Sequence, residues 1–250
     1  MTVLVLGATG ATGRLVVNEL LKREQKVRIV VRSTRSTRSL SLDLLNNRKV
    51  EITYANILEL SENELLHLVT GCDAVVSCLG HNLTLKGMFG EPRRLVTNTI
   101  ERVTQAIIKA RPSSPIKLVL MSSTGVQNRT VYEKVSITHK AVITFLRLVL
   151  PPHIDNEKAV AFLQHNVEDQ SPFIQWVAVR PDSLTNQVDA APYDLHSSPT
   201  NDPIFDAKKT SRINVAHFMA ELITRPQLWS HWQSKLPVIY DSAQMVSVKV

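Results

Sequence analysis

The 250-residue sequence predicts an α/β fold built on a doubly wound, mostly parallel sheet, in a single domain spanning residues 1–250. Three observations carry this. Short β-branched and apolar runs alternate along the chain with stretches of helical periodicity. The first of these runs, VLVL, leads straight into glycines at positions 7, 10 and 13 and then into LVVNELLKR. Finally, 44% hydrophobic residues over this length suffice for one substantial core, and no repeat or low-complexity tract marks a second unit.

Strands are expected at residues 3–6, 27–31, 50–54, 74–77, 117–121, 175–179 and 236–240. Helices are expected at 11–24, 61–69, 93–110, 156–168 and 214–224, with Pro112 and Pro226 as stop signals after two of them. Right-handed crossovers between parallel strands place a ligand across the carboxyl ends of the strands. The weakly patterned segments 80–92, 125–155 and 181–212 each follow such an end and are expected to form the substrate cover. Within the second, ITHKAVITFLRLVLPPH is apolar enough for a helix, which Pro151 and Pro152 are expected to end.

Each glycine of the first turn has a physical task. Gly7 lets the strand turn sharply, Gly10 lets a bound group approach the backbone, and Gly13 lets the following helix pack against the sheet. A dinucleotide pyrophosphate is the ligand expected here, although the spacing is GxxGxxG and not GxGxxG. The second strand runs into Arg32, Ser33, Thr34 and Arg35, where an NAD site ordinarily carries an Asp or Glu for the adenosine ribose. Arg32, with Ser33 beside it and Arg14 from the first helix, instead suits a 2′-phosphate, so NADP(H) is expected over NAD(H). Arg35 and Arg38 either assist it or solvate an exposed loop.

Further along, Asn56 follows the third strand, where it either meets an adenine edge or makes a turn. Gly80 ends the fourth strand, where backbone approaches the cofactor. Ser122 and Ser123 follow the fifth strand, where hydroxyls either hold a substrate oxygen or cap the next turn.

The formal charge of +7 raises nucleic-acid binding, but no aromatic and basic interleaving and no zinc-finger spacing supports it. Eight arginines and lysines crowd positions 14 to 38, where cofactor phosphate explains part of the excess. Cys72 and Cys78 are the only cysteines and read as apolar fillers, so neither a disulfide framework nor a metal site is expected. No apolar span is long enough for a membrane, and the first strand leaves no room for a signal peptide, so the cytoplasm is the expected compartment. A small-molecule acceptor is the expected partner. A protein partner or a homodimer stays open, since Trp229 and Trp232 suit either an interface or a core.

Taken together, VLVLGATGATGR, VVRS, the turn from Ser77 to Gly80, VLMSSTGV and the late VAVRPDSLT resemble the atypical short-chain dehydrogenase/reductase group. Within it they are most similar to the NmrA-like and flavin-reductase (biliverdin reductase B)-like NAD(P)-binding proteins. The resemblance implies a Rossmann-like sheet and NADP(H) as cofactor. It also implies pyrophosphate contacts from Gly7, Thr9, Gly10, Ala11 and Thr12, with Arg32 at the 2′-phosphate. Asn56 and Ile57 then fall near adenine, Leu79 and Gly80 near the ribose and nicotinamide, and Arg180, Pro181 and Leu184 beside the nicotinamide. Arg180 alternatively pairs with a carboxylate.

The wider group uses a Tyr-x-x-x-Lys pair for proton transfer, and this sequence lacks it. Tyr132 has Ser136 four positions on, and Lys158 has Ile154 four positions back. Lys158, in DNEKAVAFL, resembles the group's lysine helix; Tyr132 is a loop candidate for the proton, with His153 a rival acid. Hydride transfer to a quinone, a flavin or another planar conjugated acceptor needs positioning more than a placed acid. An NADPH-dependent reductase of such an acceptor is therefore the expectation, with Ser122 or Ser123 orienting its oxygen and Met88, Phe89 and residues 145–150 roofing the pocket. The alternative is an NADP(H)-sensing regulatory protein of the NmrA-like type, without turnover. Epimerase or dehydratase chemistry on a nucleotide sugar would normally require the missing pair.

Overall fold

Residues 1–81, 90–128, 133, 151–167, 171–202 and 205–242 are described by the computed structural model. The first half runs β1 (Thr2–Leu6), α1 (Gly13–Lys22), β2 (Lys26–Val31), a 3₁₀ turn (Thr34–Ser39), α2 (Leu42–Leu45), β3 (Val50–Tyr54), α3 (Glu62–Val69), β4 (Ala74–Ser77) and α4 (Leu95–Ala110). The second runs β5 (Ile116–Met121), α5 (Pro151–Asn166), β6 (Ile174–Pro181), β7 (Ser183–Thr185), β8 (Tyr193–His196), β9 (Lys209–Ser211), α6 (Arg212–Thr224), α7 (Pro226–Trp232) and β10 (Val238–Asp241).

Eight strands form one sheet in the order β3-β2-β1-β4-β5-β6-β10-β8. Every neighbouring pair is parallel except β10 with β8. The strand order reverses between β1 and β4, the switch point at which such sheets bind ligands. Alternation along β1 sets the layers: Val3 and Val5 enter a core shared with α1, α6 and α7, while Leu4 and Leu6 enter the core shared with α3, α4 and α5. The result is a single-domain, Rossmann-like α/β fold.

The seven expected strands correspond to β1 to β6 and β10. Strands β7, β8 and β9 were not anticipated, because they are three or four residues long and only partly buried, with no apolar run. They lie within 181–212, so that segment is in part sheet: β8 pairs along β10, and β7 pairs with β9.

Pro151 and Pro152 lie within α5. Helices α4 and α6 end at Ala110 and Thr224, just before the expected stop signals Pro112 and Pro226, and Pro226 also opens α7. A proline at the first helical position lacks an N–H that would have no partner there anyway. The apolar stretch at 137–150 lies outside the described residues. Trp229 and Trp232 are buried in the core, and the Trp229 indole N–H donates to Gln175 Oε1 at 2.8 Å. Cys72 and Cys78 are free and buried. Among the described residues, no helix is long and apolar enough to cross a membrane.

One buried carboxylate joins the helices around the site. Arg94, at the cap position of α4, makes no side-chain cap bond. The first turn of α4 is met instead from α5: Asp155 accepts from the backbone N–H of Val96 at 2.8 Å and of Thr97 at 2.9 Å, and from Thr97 Oγ1 at 2.6 Å. His81 Nε2, just past β4, reaches the same carboxylate at 2.8 Å. Burial pushes the Asp155 pKa up, but the bonds from His81, Thr97 and Val96 outweigh it and hold the group below its ordinary 3.8. A depressed carboxylate stabilises the fold above its unfolded pKa, and that stabilisation is lost as pH falls through the folded value. Asp155→Asn is expected to cost about 3 kcal/mol at neutral pH. In urea titrations at a series of pH values, the difference from wild type should narrow below pH 3.8.

Candidate cofactor cleft

The turn after β1 is packed to its steric limit. Gly7 has φ +76°, and a Cβ there would stand 2.7 Å from the Cys78 carbonyl oxygen on β4's carboxyl side. A Cβ on Gly13 would stand 2.1 Å from the Gly7 carbonyl oxygen, so α1 starts against the backbone of the turn. Gly10 N–H donates to that same oxygen at 2.9 Å, and Arg14 N–H donates to Gly10 O at 3.1 Å. Thr12, at the cap position of α1, makes no side-chain cap bond, and the first turn holds no acidic residue. The positive end of the helix is thus left for an anion.

Beside this turn is a cleft of about 230 Å³, lined by the carboxyl ends of β1, β2, β3 and β4. Gly7, Thr9, Gly10, Arg32, Asn56, Ile57, Leu79 and Gly80 all line it. Residues that sequence reasoning passed over join them: Leu6, Val30, Val31, Ala55 and Cys78 from the strand ends, and Pro92 and Leu95 from before and within α4. The strand-end residues follow from strand register once the glycine turn is located. Pro92 and Leu95 carry no local signal.

Other expected cofactor residues lie around the cleft and do not line it. Ala11 and Arg14 are exposed, while Thr12 and Gly13 are buried beneath the turn. Ser33 is exposed, its Oγ 3.1 Å from Ser36 Oγ on the 3₁₀ turn, and Ser39 Oγ ties that turn to the glycine loop by donating to Thr9 O at 3.0 Å. Asn56 makes the turn that was its alternative: its Oδ1 accepts from Leu58 N–H at 3.3 Å and its Nδ2 donates to Glu59 at 2.8 Å.

Arg180 is corrected from a cofactor contact to its stated alternative, a pairing with a carboxylate. It is 0% exposed and does not border the cleft. Its guanidinium donates to Leu236 O, Val126 O and Ser197 O and pairs with Glu133 Oε1 at 2.8 Å. A cation removed from water needs such a complete set of acceptors, so it binds the chain to itself. Pro181 is buried and Leu184 half-buried in β7, and neither lines the cleft.

At the end of β5, Ser122 N–H donates to Val179 O at 2.8 Å, while its buried Oγ has no hydrogen-bond partner among the described residues. Ser123 is half-buried beside Gly125. Lys158 is exposed on α5 and does not line the cleft. Tyr132, Met88, Phe89 and residues 145–150 lie outside the described residues.

The basic residues near the amino terminus divide into two groups. Lys22 and Arg23 both hold Glu19, whose pKa burial raises but these two cations lower further. Arg28 is bound to Glu51 and to the carbonyls of Leu68 and Thr70. Arg14, Arg32, Arg35 and Arg38 are exposed and make no ion pair among the described residues. Of these four, Arg32 lines the cleft.

A glycine turn beneath a helix amino terminus, at the switch point of a parallel sheet, defines a dinucleotide-binding α/β protein. Residues 7–226 match the NAD(P)H-binding family, and the chain belongs to it. No curated protein matches the sequence. Among solved structures, it is similar to the oxidoreductase ylbE from Lactococcus lactis, with 16% identity and a TM-score of 0.67, over 97% of this chain and 91% of that one. A short-chain dehydrogenase/reductase from Veillonella parvula, in complex with NADP, has 13% identity and a TM-score of 0.67, over 97% of this chain and 95% of that one. A candidate NADH-flavin reductase from Streptococcus pneumoniae has 17% identity and a TM-score of 0.66, over 97% of this chain and 98% of that one.

Gly13 and Gly10 should separate folding from binding. Gly13→Ala drives a methyl group into the Gly7 carbonyl and is expected to cost about 3 kcal/mol or more. At Gly10 a Cβ meets only the Gly7 carbonyl oxygen, at 3.2 Å. Gly10→Ala should therefore melt within a few degrees of wild type while binding dinucleotide about tenfold more weakly. Thermal melts and calorimetry of both variants read the two effects.

Proposed function

We propose that this chain is an NADPH-dependent reductase that acts on a planar conjugated acceptor such as a quinone or a flavin. The observation that carries the reading is Arg32, an exposed guanidinium in the cleft lining at the end of β2, where an acid would repel a 2′-phosphate. The amino end of α1, with Gly7, Thr9, Gly10, Ala11, Thr12 and Gly13, would hold the pyrophosphate. Arg32, with Arg14 and Ser33 near it, would take the extra phosphate through charge-assisted bonds. Ile57 and the backbone at Asn56 would flank the adenine, and Leu79 and Gly80 the nicotinamide side. When bound, NADPH supplies the hydride.

The acceptor end supports a conjugated substrate. The chain lacks a Tyr-x-x-x-Lys pair, and Lys158 stands in solvent. A quinone or flavin, once reduced, takes its proton from water, so positioning carries most of the catalysis. Ser122, whose buried hydroxyl has no partner among the described residues, or the half-buried Ser123 would orient an acceptor oxygen.

Calorimetry with NADPH and NADH tests the cofactor assignment: Arg32→Ala should weaken NADPH about tenfold or more and leave NADH nearly unchanged. Equal wild-type affinities for the two would overturn the 2′-phosphate site. NADPH absorbance followed against a panel of quinones and flavins tests turnover. Tight NADPH binding with no oxidation across the panel would instead assign the chain to NADP(H) sensing.

A further inference from the structure

We propose that Asp155 is a positioning residue for the nicotinamide half of the dinucleotide, because one oxygen of its carboxylate ties together two stretches of the cleft lining. This rests on the cofactor assignment above and not on the identity of the acceptor.

Leu79 and Gly80, after β4, line the cleft, and so do Pro92 and Leu95, before and within α4. The residue after Gly80 is His81, and the residue after Leu95 is Val96. Both end on the same atom. Asp155 Oδ2 lies 2.8 Å from His81 Nε2 and accepts the Val96 N–H at 2.8 Å. The carboxylate is held below its ordinary pKa and at neutral pH can only accept, so His81 Nε2 carries the hydrogen.

The other oxygen anchors the aspartate itself. Oδ1 accepts the Thr97 N–H at 2.9 Å, and Thr97 Oγ1 lies 2.6 Å from Oδ1 and 2.8 Å from the Asp155 carbonyl oxygen. The carboxylate therefore cannot swing to follow one stretch without releasing the other. The side chains of His81 and Asp155 are 5% and 0% exposed, so water does not compete for these charge-assisted bonds.

The tie has a selective consequence. Leu79 and Gly80 flank the nicotinamide side on the cofactor assignment, whereas Arg32, Asn56 and Ile57, at the ends of β2 and β3, serve the adenosine half. The bonds on Oδ2 fix the first group in advance, so the nicotinamide half binds without first having to order its walls. They make no contact with the second group.

Calorimetry with two ligands tests this: NADPH, and adenosine 2′,5′-bisphosphate, which carries the adenine and the 2′-phosphate but no nicotinamide. His81→Ala removes the β4-side bond and leaves the α4 cap in place. It should bind NADPH about tenfold more weakly and the bisphosphate within about twofold of wild type. His81→Gln, which returns an N–H at similar reach, should recover most of the loss. Asp155→Asn, where it folds, should show the same split between ligands, because a single amide cannot accept from all the donors that the carboxylate satisfies. The emission of bound NADPH, read at saturation, is a second measurement that needs no bisphosphate: it should be weaker in His81→Ala than in wild type, the reduced ring being less shielded. Undiminished NADPH affinity and emission in His81→Ala, an equal loss of both ligands, or a His81→Gln no better than the alanine variant overturns the proposal and leaves the cofactor assignment intact. A wild type that does not bind NADPH overturns both.

Discussion

The cleft is organised around the carbonyl oxygen of Gly7. It accepts the Gly10 N–H and leaves no space for a side chain on Gly13. Gly7 itself leaves no room for a Cβ beneath the Cys78 carbonyl. Three backbone segments, the end of β1, the start of α1 and the end of β4, are therefore within contact distance with only hydrogens between them. That proximity aims the amino end of α1 at the switch point and brings the partial charges of its free N–H groups to the cleft wall. Any side chain large enough to separate the segments would move the helix away from the anion it is placed to receive.

Asp155 is the counterpart at the start of α5. Its charge is balanced by N–H groups at the positive end of α4 together with the imidazole of His81. Such an arrangement tolerates full burial because nearly every lone pair is occupied. It has a geometric consequence as well. Gly80 lines the cleft and His81 follows it, so one hydrogen bond links the cleft wall to the first turn of α5. Helix α5 is thus indexed against the element that borders the cleft.

Much of this was legible in the chain. Strands β1 to β6 are apolar runs between polar turns, and buried parallel strands have to look that way. The glycine turn is visible because steric limits act within thirteen residues, and Arg32 because a missing acid can be read directly. What escaped was tertiary. The carboxylate that occupies Arg180 is 47 residues away, and no local pattern distinguishes a cation reserved for a ligand from one used as an internal strut. The cap of α4 comes from a residue 58 positions later. Pro226 both follows the end of α6 and opens α7, and only the first of these roles is local. Strand β8 has half-exposed residues and is short, so its place depends on the edge that β10 offers.

The same distinction sorts the cations behind the net charge of +7. A nucleic-acid surface would keep its cations aligned and free to meet a phosphate backbone. Here many are consumed internally: Lys22 and Arg23 by Glu19, Arg28 by Glu51 and the end of α3, Arg102 by the carbonyls of Ile57, Leu58 and Leu60, and Arg180 by Glu133. These side chains close gaps between elements, and their charge is largely cancelled over distances of a few ångströms. Arg14 and Arg32 are different, since each is exposed and without an ion pair among the described residues, on either side of the glycine turn. Their fields add to that of the α1 dipole at one short stretch of backbone. The unneutralised charge near the amino terminus is thus concentrated where a phosphorylated dinucleotide would lie.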